Sequence, residues 1–200
     1  MPKQIIFVRH GETDLNKEKR LMNWVHDVGA LSELGRTEAA EVGRKLKKYK
    51  IHTMYASDLL RTRQTAEIIS REIGLQPVFT EYLRERNLGI FGDLTFDEIK
   101  SKWPERLTKF LDHSDIDWNG LEGESLRNVH DRFRQFLAIL ESKHPDENLL
   151  FVTHSGFLYT TLRDVFGLLP QNTWLDVAHT SITIVERIDG RYHLKLFNEA

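Results

Sequence analysis

Phe7-Val8-Arg9-His10-Gly11-Glu12-Thr13 sets an arginine and a histidine side by side where an apolar run gives way to glycine, and Leu149-Leu150-Phe151-Val152-Thr153-His154-Ser155-Gly156 repeats the pattern far downstream. Strand ends are where α/β sheets present chemistry. If Arg9, His10 and His154 meet above one sheet edge, they form a compact cationic pocket. Guanidinium offers a planar fork of donors to phosphate oxygens and imidazole adds further donors, so such a pocket suits a tetrahedral dianion. One histidine of the set can also attack phosphorus, provided that it is neutral and one ring nitrogen is pinned by a hydrogen bond so that the other faces the substrate. The remaining positive groups would stabilise the transferring phosphoryl oxygens, which makes a metal unnecessary. A leaving alkoxide would still need a proton.

The elements that must position these residues are readable from periodicity. Ile5 to Val8 reads as a buried strand, and Ser32 as the N-cap of a helix with Leu34, Ala39, Val42 and Leu46 at helical spacing. His52 to Ala56 reads as a strand, Asp58 to Ile73 as a helix ended by Gly74, and Pro77 to Thr80 as a short extended segment before Glu85. Residues 94–124 hold two short helical patterns broken by Pro104 and then an irregular acidic stretch from Asp112 to Glu124, read as a solvated lid inserted over the sheet. Ser125 then caps a long helix carrying Val129, Phe133, Phe136, Leu137 and Leu140 on one face, and Leu149 to Thr153 returns as a strand. After a helix from about Phe157 to Phe166, Ser181 to Ile188 and Arg191 to Leu196 flank an Asp189-Gly190 turn, the mark of an antiparallel hairpin. Alternating strands and helices imply an α/β fold with a largely parallel sheet.

A chain of 200 residues with 40% hydrophobic and 29% charged residues suits one domain, and a formal charge of −2 gives no field that would attract nucleic acid or an anionic membrane. The absence of cysteine removes thiol nucleophiles, disulfides and thiolate metal sites. The four apolar residues from Ile5 are too few for a signal-peptide core or a membrane span, so a cytoplasmic protein is the expectation. His113, His130, His144, His179 and His193 form no zinc-type spacing and read as structural or exposed. The apolar edges of the tail hairpin could pair with a second copy as a homodimer or be twisted and covered, and both stay open.

Arg9-His10-Gly11-Glu12-Thr13 with Asn16 resembles the signature of the histidine phosphatase superfamily, which includes the cofactor-dependent phosphoglycerate mutases. The resemblance continues in order through Ser57-Asp58-Leu59-Leu60-Arg61-Thr62-Arg63-Gln64-Thr65-Ala66, Leu83-Arg84-Glu85, Gly123-Glu124-Ser125 and Thr153-His154-Ser155-Gly156. It implies a single domain over residues 1–200 with the insertion at about 94–124, folded as a three-layer α/β/α sandwich, phosphoglycerate mutase-like, with a mostly parallel sheet and the C-terminal hairpin. It implies His10 as the nucleophile that becomes phosphohistidine and Glu85 as proton donor to the leaving group, later the base for water. Arg9, Arg61 and His154 would bind phosphate, Asn16 would complete the oxyanion contacts, and the backbone around Ser155 and Gly156 would lie near it. Met22-Asn23 and Gly92-Asp93 depart from the pattern, where many members carry Gln-Gly and phosphatases often show Glu-Gly. That bears on substrate choice, with Trp24, His26 and Trp118 as candidate lining residues.

The bland alternatives are specific. Arg61 could pair with Asp58 or Glu67 as an ordinary helix residue, the better reading for Arg63, and Glu81 competes with Glu85 as the acid. The leading functional expectation is a metal- and cofactor-independent phosphatase acting on a small phosphorylated metabolite, with no nucleic-acid or membrane partner. A phosphoglycerate mutase is the runner-up, disfavoured by the short tail after the hairpin, and a noncatalytic phospholigand-binding protein comes third.

Overall fold

In the computed structural model, which describes residues 3–24, 29–170 and 175–200, the run Ile5 to Val8 is wholly inaccessible to solvent and forms the middle of β1 (Gln4–Arg9). Alternation decides which way each residue faces. Ile5 and Phe7 join one apolar cluster and Ile6 and Val8 another, so the strand is covered on both faces. The same division holds in β4 (Asn148–Thr153), where Leu149 and Phe151 share the first cluster and Leu150 and Val152 the second.

Helices α2 (Glu33–Leu46) and α3 (Leu60–Ile73) cover the second cluster with Val42, Leu46, Ala66 and Ile69. Helices α6 (Leu126–Lys143) and α7 (Ser155–Thr160) cover the first with Val129, Phe133, Phe136, Phe157 and Leu158. The result is three layers around one six-stranded sheet of order β3-β2-β4-β1-β5-β6, completed by β2 (Thr53–Ser57), β3 (Pro77–Thr80), β5 (Ile182–Ile188) and β6 (Arg191–Glu199). The strands β1 to β4 pair in parallel, while β5 runs antiparallel to both β1 and β6. Asp189 and Gly190 close the last hairpin with φ of 48° and 78°, the left-handed pair that a two-residue turn requires.

Because β4 is inserted between β1 and β2, the register pairs Arg9 with Thr153 and brings the loops that begin at His10 and His154 together at the C-terminal edge. His10 N–H donates to Thr153 O at 2.9 Å, which fixes the two loops to each other. Gly11 is required there, since a Cβ would lie 2.5 Å from Gly35 O at the start of α2.

Residues 88–126 form a smaller packed unit over this edge. It contains α4 (Phe96–Lys102) and α5 (Pro104–Leu111), the latter begun by Pro104 at its first position, where a missing N–H costs nothing. Leu88, Phe91, Ile99, Leu107, Phe110 and Leu121 give it a core of its own, so the packed unit starts ahead of residue 94. Backbone bonds from Leu21 N to Leu94 O and Asp93 N to Leu21 O tie it to the loop beyond α1 (Asp14–Lys17). The stretch from Asp112 to Glu124 is less solvated than its composition suggests. Leu121 is buried, Trp118 packs on the unit's core, and Glu124 accepts the Asn87 N–H and the Arg132 guanidinium.

The helix expected from Phe157 to Phe166 begins earlier, at Ser155, and changes after Thr160 into a π-helical turn, Thr161–Val165. The wider turn holds Arg163 inside, paired through two nitrogens with Asp164 at 2.7 and 2.8 Å and donating to Tyr159 Oη at 2.8 Å. Among the described residues no helix is long and apolar enough to cross a membrane.

Candidate active site

His10 sits one residue past β1 and is 2% exposed. Its Nδ1 lies 2.8 Å from Gly11 O, and a carbonyl only accepts, so Nδ1 carries the ring proton and Nε2 presents its lone pair. Burial first, then the charges of Arg61 and Arg9, hold the imidazole well below its ordinary pKa of 6.5. A neutral ring with a fixed tautomer is what an attacking histidine needs.

His154, at the end of β4, is fully buried with its ring 5.3 Å from that of His10. Its Nε2 meets Ser57 Oγ at 3.0 Å, and its Nδ1 is buried without a hydrogen-bond partner among the described residues, as is Arg9 Nε. Burial and then Arg61 depress this imidazole as well. Arg61, 2% exposed in the first turn of α3, is thus the largest charge acting on both rings. Asp58, its rival partner by sequence, is instead held by Arg84 through both oxygens at 2.7 and 2.5 Å. Arg9 donates through Nη1 to Val177 O. Two permanent charges and neutral imidazoles in a water-poor site complement a phosphate dianion.

Glu85 follows the turn after β3. Its carboxylate accepts from Arg86 N–H on Oε1 and from Gly156 N–H on Oε2, both at 2.9 Å. The Gly156 amide is therefore engaged by Glu85. A Cβ at position 156 would lie 2.8 Å from Oε1, so only glycine lets the carboxylate come this close. Arg132 braces the turn by donating to Tyr82 O and Arg84 O while its other nitrogens hold Glu124. Glu81, the alternative acid, is 72% exposed on the outside of this turn. Asn16 is also half-buried near His10's loop, but its Oδ1 accepts from Thr13 N–H and Oγ1, a capping box at the start of α1. That leaves its amide NH2 as the group it can offer a ligand.

Glu85, Ser155 and Gly156 line a cavity of about 220 Å3 together with Leu88, Phe96 and Phe110 of the smaller unit. Trp24 does not line it: its ring lies between Arg84 and Arg132, and its Nε1 donates to Glu85 O at 2.9 Å. Trp118 packs within the smaller unit, and His26 falls outside the described residues. Two histidines read as structural or exposed belong to the site region. The His179 ring is 5.9 Å from that of His10, and His113 lines the cavity. Burial and nearby arginines push both down to about 4. Arg86, the residue directly after Glu85, also lines the cavity, with its Nε on Glu124 O and its guanidinium over the Phe110 ring. Among the described residues no three His, Asp or Glu side chains converge as a metal-ligand set.

A family model described as histidine phosphatase superfamily (branch 1) matches residues 5–200. The chain belongs to that superfamily. It is 38% identical over 193 residues to phosphoglycerate mutase-like protein 4 of Arabidopsis thaliana, covering 94% of this chain and 80% of the relative. A probable phosphoglycerate mutase GpmB of Erwinia tasmaniensis is 32% identical, with coverage of 82% and 75%. Among solved structures, a mycobacterial glucosyl-3-phosphoglycerate phosphatase in complex with VO3 superposes with a TM-score of 0.88 at 27% identity, over 99% of this chain and 100% of that one. Bacillus stearothermophilus YhfR gives 0.88 at 28%, over 100% and 98%. The sheet and its C-terminal antiparallel pair are those of the superfamily, and the chain is an enzyme of its phosphatase and mutase kind.

The two departures from the superfamily's pattern touch each other. A Cβ at Gly92 would lie 2.2 Å from Asn23 Nδ2 and 2.5 Å from Asn23 Cβ, so the asparagine side chain fills space that a residue larger than glycine would need. Asn23 uses that position to donate to Gly89 O and accept from Trp24 N–H. Asp93 adopts φ of 63°, a conformation easiest for glycine.

Proposed function

We propose that the protein is a histidine acid phosphatase-type phosphomonoester hydrolase that needs no metal and acts on a small phosphorylated metabolite. His10 Nε2 attacks phosphorus in line, the bond to the leaving oxygen breaks, and Glu85 gives that oxygen its proton. Water, losing a proton to Glu85, then displaces His10 from phosphorus and releases phosphate. Arg9, Arg61 and His154 carry the phosphoryl oxygens, and the Asn16 amide NH2 and the backbone at Ser155 and Gly156 complete the surroundings. Residues 94–124 act as a lid over the leaving group, within one domain spanning the chain. The observation that carries this reading is the buried His10 with its proton held on Nδ1 by Gly11 O and its ring 5.3 Å from that of His154.

Excess EDTA should leave hydrolysis of phenyl phosphate unchanged, and His10→Ala should lower it by at least about 10³-fold, as loss of a nucleophile does. Native-like turnover in folded His10→Ala protein would refute the mechanism. The mutase reading is favoured by the names of the relatives above, and a coupled enolase assay separates the two. Interconversion of 3- and 2-phosphoglycerate far faster than hydrolysis would reverse the order.

A further inference from the structure

Arg9 Nε, His154 Nδ1 and His179 Nε2 are buried nitrogens without a hydrogen-bond partner among the described residues, and all three belong to residues gathered around His10. A buried polar atom left open is costly unless a ligand completes it. For Arg9 and His154 the phosphoryl group supplies that partner. The chemistry above leaves His179 unused, although its ring stands 5.9 Å from that of His10.

The backbone builds the position of this ring. Val177 O accepts from Arg9 Nη1 and Thr180 N–H donates to Arg9 O at 3.1 Å, so residues 177–180 hold Arg9 by its side chain and its main chain. Asn198, near the end of β6, braces the same segment: its Oδ1 accepts from Ala178 N–H at 2.8 Å and its Nδ2 donates to Asp176 O at 3.1 Å. Thr180 keeps φ of 51°, a conformation that a β-branched residue rarely adopts and that persists where the surroundings over-determine it. The carboxylates that act on the ring, Glu12 and Asp176, leave Nε2 open, and Glu12 Oε1 accepts from Ser32 Oγ instead. Burial and the Arg9 charge keep the free imidazole neutral, down at about 4, and a neutral ring can carry its proton on Nε2 as a donor.

We infer that His179 is a further phosphoryl-binding residue, donating from Nε2 to an oxygen of the group that Arg9 carries. This rests on the reading of the His10 site as a phosphate site. Because the contact is to the phosphoryl group, its worth is independent of the leaving group and persists for inorganic phosphate.

Titration calorimetry with inorganic phosphate in EDTA reads the contact without turnover. His179→Ala should weaken phosphate binding by about tenfold or more, the scale of one hydrogen bond to a charged group, and should lower kcat/KM for phenyl and 4-nitrophenyl phosphate by the same factor. His179→Gln, whose amide nitrogen can take the place of Nε2, should recover most of the binding. Undiminished phosphate affinity in His179→Ala overturns the inference. So does a loss that His179→Gln leaves uncorrected, which would make the ring a packing element, and so does a loss confined to one of the two esters, which would put the ring on the leaving group. If the wild type binds phosphate with the predicted dependence on His179 yet hydrolyses neither ester, the hydrolase reading fails and this assignment stands.

Discussion

The proton on His10 Nδ1 is fixed by one backbone carbonyl, and most of the chemistry argued above depends on it. Because the ring stays neutral well below its ordinary value, the acid limb of kcat/KM should fall below pH 6.5. An acid limb at or above that pH would mean that the nucleophile is charged in the free enzyme. Gly156 offers a second test at this scale. Gly156→Ala pushes on the Glu85 carboxylate, so it should lower turnover of an alkyl phosphate, whose leaving oxygen needs the proton, more than that of a 4-nitrophenyl ester. Glu85→Gln should cost the alkyl ester about 10²–10⁴-fold, the usual worth of a positioned acid. Equal losses on the two esters in both variants would remove Glu85 from that role.

At the scale of elements, the loop around Asn23 and the turn at Gly92 share one volume. Gly92→Ala should destabilise the protein, Asn23→Gly should relieve that strain, and the double-mutant cycle should show a coupling of about 1–2 kcal/mol by denaturant unfolding. Additive effects would mean that the two sites are independent. This pair also marks how far local sequence carries. Runs such as Ile5 to Val8 and Leu149 to Thr153, the Ser32 and Ser125 caps, Pro104 and the Asp189-Gly190 turn are short-range signals, and each appears where its chemistry places it. His113 and His179 reach the site only through contacts distant in sequence, and no spacing rule reports those. Asn16 shows the converse, since Thr13-x-x-Asn16 is also a capping box, and the cap takes the amide oxygen.

At the scale of the whole molecule, the fold keeps neutral histidines inside it, and that has a pH signature. His10 and His154 have folded-state values below 6.5, so below that pH the unfolded chain binds protons that the folded chain refuses. Stability therefore falls as pH drops through 6.5, by up to about 1.4 kcal/mol per pH unit for each such group. His113 and His179, held to about 4, add to the same window in the same direction. Carboxylates with lowered values, such as Asp58 and Glu98, act mainly under about pH 5, so a melting temperature that declines between pH 6.5 and 5 reports the histidines. A flat profile across that interval would contradict their burial as neutral rings.

The measurement that tests the central claim most directly is rapid quenching of the enzyme with labelled phenyl phosphate in EDTA, followed by mapping of the labelled peptide. An acid-labile, alkali-stable phosphoryl group on His10, formed and lost fast enough to account for turnover and absent from His10→Ala, is the predicted result. Turnover without a phosphoenzyme, or a label that persists in His10→Ala, would contradict it.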